Sequence, residues 1–303
     1  MWVIKYRKLF YALSVILIAG CIGSLAVWGL KPSVDFTGGT LVEVVYPAGR
    51  PNQDAVAALL SAIDTGASIR PTSPEGVEGY IVRMKAVDQN EKATVMDALS
   101  LKGSSELVEK TFSSIGPVLG AEALRKSLMS IFLVILAIVL FITFAFRKVS
   151  EPVSSWKYGM VAVVALLHDI IIPAGVFSIL GHFAGYEVDT LFVTALLVIL
   201  GFSVHDTIVV FDRVRENLSH TSGKKSFEQI VGESVGQTFT RSINTSMTTL
   251  IALIVLYFLG GPSTEHFSLA LIIGIAAGTY SSVFVGSPLL VTIEKWGTKR
   301  RAK

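Results

Sequence analysis

The sequence predicts a polytopic α-helical membrane protein that carries one small α+β domain between its first and second transmembrane helices. Three observations lead there. Mean hydropathy is +0.62, and 51% of the residues are hydrophobic against 16% charged, a balance unlike that of a soluble chain of 303 residues. Six apolar segments reach the roughly 20 residues a helix needs to cross hydrocarbon, at 9–30, 127–146, 158–180, 188–211, 243–259 and 267–293. The only long hydrophilic stretch, 31–126, separates the first of these from the second. The net charge of +3 is too small to argue for a nucleic-acid partner.

The first span, 9–30, follows a basic start at Lys5, Arg7 and Lys8. Ile18, Ala19, Gly20 and Cys21 resemble the lipid-attachment box of a bacterial lipoprotein signal. The chain stays apolar after Cys21 (IGSLAVWGL), where a mature lipoprotein turns polar, so an uncleaved span is expected. As the single cysteine, Cys21 excludes an internal disulfide and a cysteine zinc site.

Within 31–126, TLVEVVYP alternates as a strand does, and QDAVAALLSAI, opened by Pro51, places Val56, Leu59, Leu60 and Ile63 on one helical face. ASIRPTSP and GYIVRMKAV read as two strands. NEKATVMDALSL reads as a second helix with Val95, Met96 and Leu99 inward, and SSELVEKTFSSI as the closing strand. The order β-α-β-β-α-β predicts a small ferredoxin-like domain, one antiparallel sheet with its helices on one face. It holds no histidine and no cysteine, and reads as a binding or relay module or a plain spacer.

Charge fixes the orientation. With the N-terminus inside, the inner segments collect Lys5, Arg7, Lys8, Arg147, Lys148, Lys157, Arg213, Arg215, Lys224, Lys225, Arg241, Lys295, Lys299, Arg300, Arg301 and Lys303. The short outer loops at 181–187 and 260–266 carry no lysine or arginine. Both termini are therefore expected in the cytoplasm. The expected organisation is a cytoplasmic N-terminus and first helix over 1–30, an extracytoplasmic α+β domain over 31–126, and a five-helix transmembrane domain with a cytoplasmic C-terminus over 127–303.

Ionisable side chains inside a membrane cost about 2.5–3.5 kcal/mol each on insertion scales and persist where they have a partner or a task. The chain has two such pairs, His168-Asp169 in the third span and His205-Asp206 in the fourth. Asp169 lies roughly 18 Å along its helix from Lys157, near mid-membrane, on a face with Ala162, Ala165 and Pro173. Asp206 lies roughly 9 Å above the inner surface marked by Asp212, with Ser203 on its face. The fifth span opens with RSINTSMTTL, and Arg241 at its inner end is within reach of a carboxylate at the depth of Asp206; the other reading of Arg241 is a snorkelling anchor. For the two histidines, orienting the neighbouring aspartate is the plainer role. Gly274, Gly278, Ser282 and Gly286, at every fourth position, predict a tight packing seam in the sixth span. Between the fourth and fifth spans, TSGKKSFEQIVGESVGQTF reads as a separate amphipathic helix, with Phe227, Ile230, Val231 and Val235 on the membrane or other loops.

Five stretches, taken together and in order, resemble the SecD/SecF family, within the resistance-nodulation-division superfamily. They are VDFTGGT (34–40), SSIGPVLG (113–120), ALLHD (165–169), GFSVHDTIVVFDRVREN (201–217) and QTFTRSINTS (237–246). The resemblance covers essentially the whole chain. VDFTGGT alone is shared by SecD and SecF; the single short outer domain and the chain length favour the SecF branch. The resemblance implies a subunit of the bacterial cytoplasmic (inner) membrane that works with SecD beside the SecYEG channel. It would use the proton or sodium motive force to move secreted polypeptides outward, without a cofactor and without enzymatic chemistry. It assigns ion coupling to Asp206 and Arg241, with His205, Asp169 and His168 beside them. His205 stands where the family usually has asparagine. The motifs also single out Asp35, Phe36, Thr37, Gly38, Gly39, Thr40, Gly201, Thr207, Asp212 and Arg213 as structural positions. No GxxxxGK[ST] loop occurs, which excludes a P-loop ATPase.

Two further readings are a half of a small-molecule exporter of the same superfamily, and an intramembrane metalloenzyme built on the two His-Asp pairs. The first would need two similar halves. The second would need a third converging ligand, and His182, His220 and His266 stand at span ends or in loops.

Overall fold

The computed structural model describes residues 2–73, 76–147, 154–220 and 225–301. Lys148, Lys224 and Lys303 of the charge pattern, and Pro74 at the end of the expected second strand, lie outside the described residues. The chain divides into two compact units, Met1–Lys31 with Met129–Lys303, and Pro32–Leu128.

The second unit begins with a single helical turn, Val34–Thr37, that the sequence reading did not foresee. Ser33 caps it by accepting from the Asp35 N–H at 3.2 Å. The chain then turns at Gly38 and Gly39, with φ of 73° and 123°, conformations that favour glycine. A Cβ on Gly38 would lie 2.6 Å from the Pro117 Cα, and one on Gly120 2.7 Å from the Gly38 nitrogen. VDFTGGT and SSIGPVLG therefore pack backbone to backbone. Thr40 continues the seam: it is fully buried and donates to Ser114 at 2.9 Å.

The elements that follow are β1 (Gly39–Val45), α2 (Gln53–Leu60), β2 (Ser68–Thr72), β3 (Gly79–Met84), α3 (Gln89–Leu99) and β4 (Val108–Ile115), with α1 reserved for the first span below. All strand pairs are antiparallel, in the order β2-β3-β1-β4. Alternation puts Val42, Val44 and Tyr46 with Tyr80, Val82 and Met84 on one face of the sheet, where Val56 and Leu60 of α2 and Val95 and Leu99 of α3 cover them. Leu59, Ile63 and Met96, expected inward, are only partly buried, and α2 stops at Leu60, before Ile63. Helix α3 starts at a capping box in which Asp88 accepts from the Glu91 N–H at 2.9 Å and Glu91 answers to the Asp88 N–H at 3.1 Å. Leu101 and Lys102 then take positive φ, ahead of Gly103. That turn delays β4 to Val108, four residues later than the alternation suggested.

Among the described residues six helices are long and apolar enough to cross a membrane. They are α1 (Arg7–Trp28), α4 (Pro117–Ala145), α5 (Ser155–Phe183), α6 (Thr190–His220), α7 (Phe227–Leu259), and α8 (Pro262–Ser281) continued through a π-helical turn, Ser282–Gly286, into α9 (Ser287–Arg301). Most extend past the apolar windows that announced them, since helices end where a cap or a breaker stands rather than where hydropathy falls.

Two expectations change here. The amphipathic helix is not separate from the fifth span over the described residues: Ser226 caps a helix that runs without interruption from Phe227 to Leu259, and residues 221–224 of the predicted stretch lie outside the described residues. No proline interrupts it and Gly236 is tolerated, so the cytoplasmic segment and the fifth span are one rod. Its apolar face at Phe227, Val231 and Val235 joins the bundle core instead of lying on lipid. The small-residue seam is real at Gly274 and Gly278, where a Cβ would meet Ile199 at 2.1 Å and Ser203 at 3.1 Å; at Gly286 nothing lies closer than 3.6 Å. Helix α1 crosses α5 at similarly close range, with Ser24 donating to the Gly175 carbonyl at 3.0 Å. The residues Phe132, Leu136, Leu140 and Phe144 of α4 stay exposed.

Candidate ion-coupling site

The buried face of α6 repeats at helical spacing through Ser203, Asp206, Thr207 and Val210, and of those four only Val210 is what an apolar core wants. The polar ones meet hydroxyl groups from neighbouring helices. Asp206 is 2% exposed, and its Oδ2 accepts from Ser246 Oγ of α7 at 3.5 Å. Ser246 Oγ lies 2.6 Å from Thr279 Oγ1 of α8, which also donates to the Ile275 carbonyl at 2.8 Å. Thr207 Oγ1 lies 3.0 Å from Ser282 Oγ.

Asp169 is fully buried on α5 and gathers three donors. His168 Nδ1 lies 2.9 Å from Oδ1, Ser281 Oγ donates to Oδ2 at 2.9 Å, and Ser203 Oγ also donates to Oδ2. Pro173, four residues on, has no N–H to give the Asp169 carbonyl. His168 is 1% exposed, its ring stacks on Tyr280 with centroids 6.0 Å apart, and its buried Nε2 has no hydrogen-bond partner among the described residues.

The two carboxylates are thus linked through one turn of α6, since Ser203 touches Asp169 and Asp206 follows three residues later. The other residues singled out by sequence sit elsewhere. Arg241 and His205 are exposed on the outside of the bundle. Among the described residues Asp206 is in no ion pair, and its hydrogen-bond partner is Ser246 rather than Arg241. The reason is angular: Ser246 follows Arg241 by five residues, about 140° around a helix, so the face that meets Asp206 is the serine's. Gly201 is exposed with open space around it. Asp212 pairs with Arg215 at 2.7 Å, and Arg213 with Glu216 at 2.6 Å and Gln237 at 2.6 Å, all at the exposed helix end.

Sequence reasoning missed Thr279 and Ser281. Their signal was the run Thr279-Tyr280-Ser281-Ser282 inside an apolar span, which the four-residue stripe of small residues had obscured. No group of three His, Cys, Asp or Glu side chains able to hold a metal ion occurs among the described residues. What the site can do is hold a carboxylate out of water among neutral hydroxyls, where gain or loss of one charge changes every neighbouring hydrogen bond.

Comparison with known proteins is consistent over the whole chain. The family model described as protein export membrane protein SecD/SecF, C-terminal, matches residues 95–296. The chain is 43% identical to protein translocase subunit SecF of Thermobaculum terrenum, covering 96% of this chain and 93% of that protein. It is 36% identical to the SecF subunit of Anaerolinea thermophila, over 98% and 96%. The crystal structure of SecDF from Thermus thermophilus, described as a translocon-associated membrane protein, superposes with a TM-score of 0.80 at 29% identity, covering 96% of this chain and 38% of that one. A second SecDF structure, in a super-membrane-facing form, gives a TM-score of 0.65 and spans 39% of its chain. The chain belongs to the SecD/SecF family of protein export membrane proteins, on its SecF branch.

Proposed function

We propose that this protein is an accessory subunit of the Sec export machinery, which acts with a SecD partner to convert an ion gradient into movement of secreted polypeptides across the bacterial cytoplasmic membrane. The observation that carries the reading is Asp206, a carboxylate buried among the membrane helices and met by the hydroxyl of Ser246, which Thr279 meets in turn. A gradient supplies about 2.3 kcal/mol per charge per 100 mV, enough to bias a two-state bundle once a carboxylate alternates between charged and neutral.

In this reading Asp206 carries the alternating charge, and Arg241 supplies the cation that favours its charged form when the exposed faces of α6 and α7 are covered. His205 lies on that same outer face, and Asp169 with His168 stands beside the site, joined to it through Ser203. The matched SecDF chains are more than twice as long as this one, which supports SecD as the cover; SecYEG is the channel beside which the pair acts. Unit 32–128 is a ferredoxin-like domain on the outer side, and both termini are cytoplasmic. The strand order β2-β3-β1-β4 with two helices on one face supports the first statement, and the basic residues of the inner segments support the second. The subunit catalyses no reaction of its own.

The test is translocation into membrane vesicles with and without an imposed gradient. Asp206→Asn keeps size and hydrogen bonding, so assembly with SecD is expected to survive while gradient-dependent stimulation disappears. Full stimulation in that variant would sink the proposal and return Asp206 to a packing role.

A further inference from the structure

Three hydroxyl side chains leave the end of α8 in three directions. Thr279 meets Ser246 of α7, Ser281 meets Asp169 of α5, and Ser282 meets Thr207 of α6. The π-helical turn begins at once, at Ser282. Such turns are single insertions into α-helices and frequently stand at functional sites. Gly278 lets this segment approach closely, since a Cβ there would lie 3.5 Å from Asp169 Oδ2 as well as 3.1 Å from Ser203.

Counting hydrogens gives the chain Asp206–Ser246–Thr279 two complete arrangements, because each hydroxyl donates only once. When Asp206 is charged, Ser246 donates to it, and Thr279 donates to Ser246 and releases the Ile275 carbonyl. When Asp206 is protonated, its O–H donates to Ser246, Ser246 to Thr279, and Thr279 to the Ile275 carbonyl 2.8 Å away. The one proton added resides on the Asp206 carboxyl; all others only turn about their own oxygens.

We propose that Thr279 is a positioning residue for Asp206 and that Asp169 is the stop that keeps Thr279 in register. Residues 279 and 281 are about 200° apart around a helix. Ser281 on Asp169 and Thr279 on Ser246 therefore clamp α8 from opposite sides. Rotation of α8 by one residue, about 100°, would break both contacts, and the π turn is where that rotation can be taken up without moving α9. The proposal rests on Asp206 as the ion-coupling carboxylate, and it gives Asp169 a task that needs hydrogen-bond acceptance rather than an alternating charge.

The experiment uses the full chain with its co-purifying partner in vesicles and reads gradient-dependent stimulation and assembly. In Asp169→Asn the side-chain oxygen can accept both serine hydroxyls and the amide can donate to His168 Nδ1, so most stimulation is expected to remain. Asp169→Leu is expected to lower it about fivefold or more, the lower end of ordinary coupling between sites. Thr279→Val, isosteric but without the hydroxyl, is expected to do the same, and Thr279→Ser to preserve function. If Asp169→Leu fails to assemble, the Thr279 pair decides. Loss of stimulation in Asp169→Asn with assembly intact would overturn the stop, and full stimulation in Thr279→Val would overturn the hydroxyl chain. Asp206→Asn in the same assay separates the two levels: if it keeps stimulation, the reading of Asp206 itself has failed; if it alone loses it, the positioning roles are judged on their own variants.

Discussion

Gly274 and Gly201 both sit inside long helices, yet what a methyl group would meet at each differs. At Gly274 a Cβ would lie 2.1 and 2.5 Å from two carbons of Ile199, itself fully buried; at Gly201 nothing lies within 4 Å. Gly274→Ala is therefore expected to cost about 1–3 kcal/mol through overpacking. Gly201→Ala should leave the isolated subunit as stable as before, or up to about 1 kcal/mol more so, from helix propensity. Thermal melts of the two variants in one detergent check the contrast. Glu43 offers a test by pH. Burial raises its carboxyl above the ordinary value, while Lys110 pulls the other way. A carboxyl raised in the folded state resists ionisation there, so stability is greatest below the unfolded-state value and declines as pH rises through the folded one. Glu43→Gln is expected to raise the melting temperature at neutral pH and flatten that decline across a pH series. The tyrosines beside the same core behave alike: burial first, then the neighbouring Tyr80, pushes the Tyr46 hydroxyl up to about 12.

At the scale of elements, local chemistry explains where helices begin better than where spans end. The reciprocal hydrogen bonds of Asp88 and Glu91 start α3, and Asp88→Ala is expected to lower stability by about 1 kcal/mol, read as a lower melting temperature of the full chain. Ser226 and Gln229 start α7 by the same device. That box was visible in the sequence as S-x-x-Q, but the hydropathy windows divided the helix in two and hid its continuity. The π turn was not legible at all. It depends on which side chains face α8 from three neighbouring helices, and no periodicity within residues 262–301 encodes that.

For the molecule as a whole, the charge asymmetry predicts that Ser73 and Ser219 stand on opposite sides of the membrane. Both are exposed, and Cys21, the single native cysteine, is buried. Cysteines introduced at these two serines are expected to react with an impermeant probe from opposite faces of sealed vesicles; reaction of both from one face would overturn the orientation. The sequence by itself determined six spans, a β-α-β-β-α-β insert, and two carboxylates where lipid or protein must surround them. Those follow from composition and from periods of two and 3.6 residues, which are properties of single segments. It could also name Asp206, because a charge in an apolar run stands out wherever the run is packed. Only the tertiary structure decided that Asp206 meets Ser246, which in turn meets Thr279, while Arg241 is exposed, and that Asp169 is held by Ser203 and Ser281. Hydroxyl residues are common in membrane helices and carry no charge to mark them, so which of them reach a carboxylate is settled by the rotation of each helix against its neighbours.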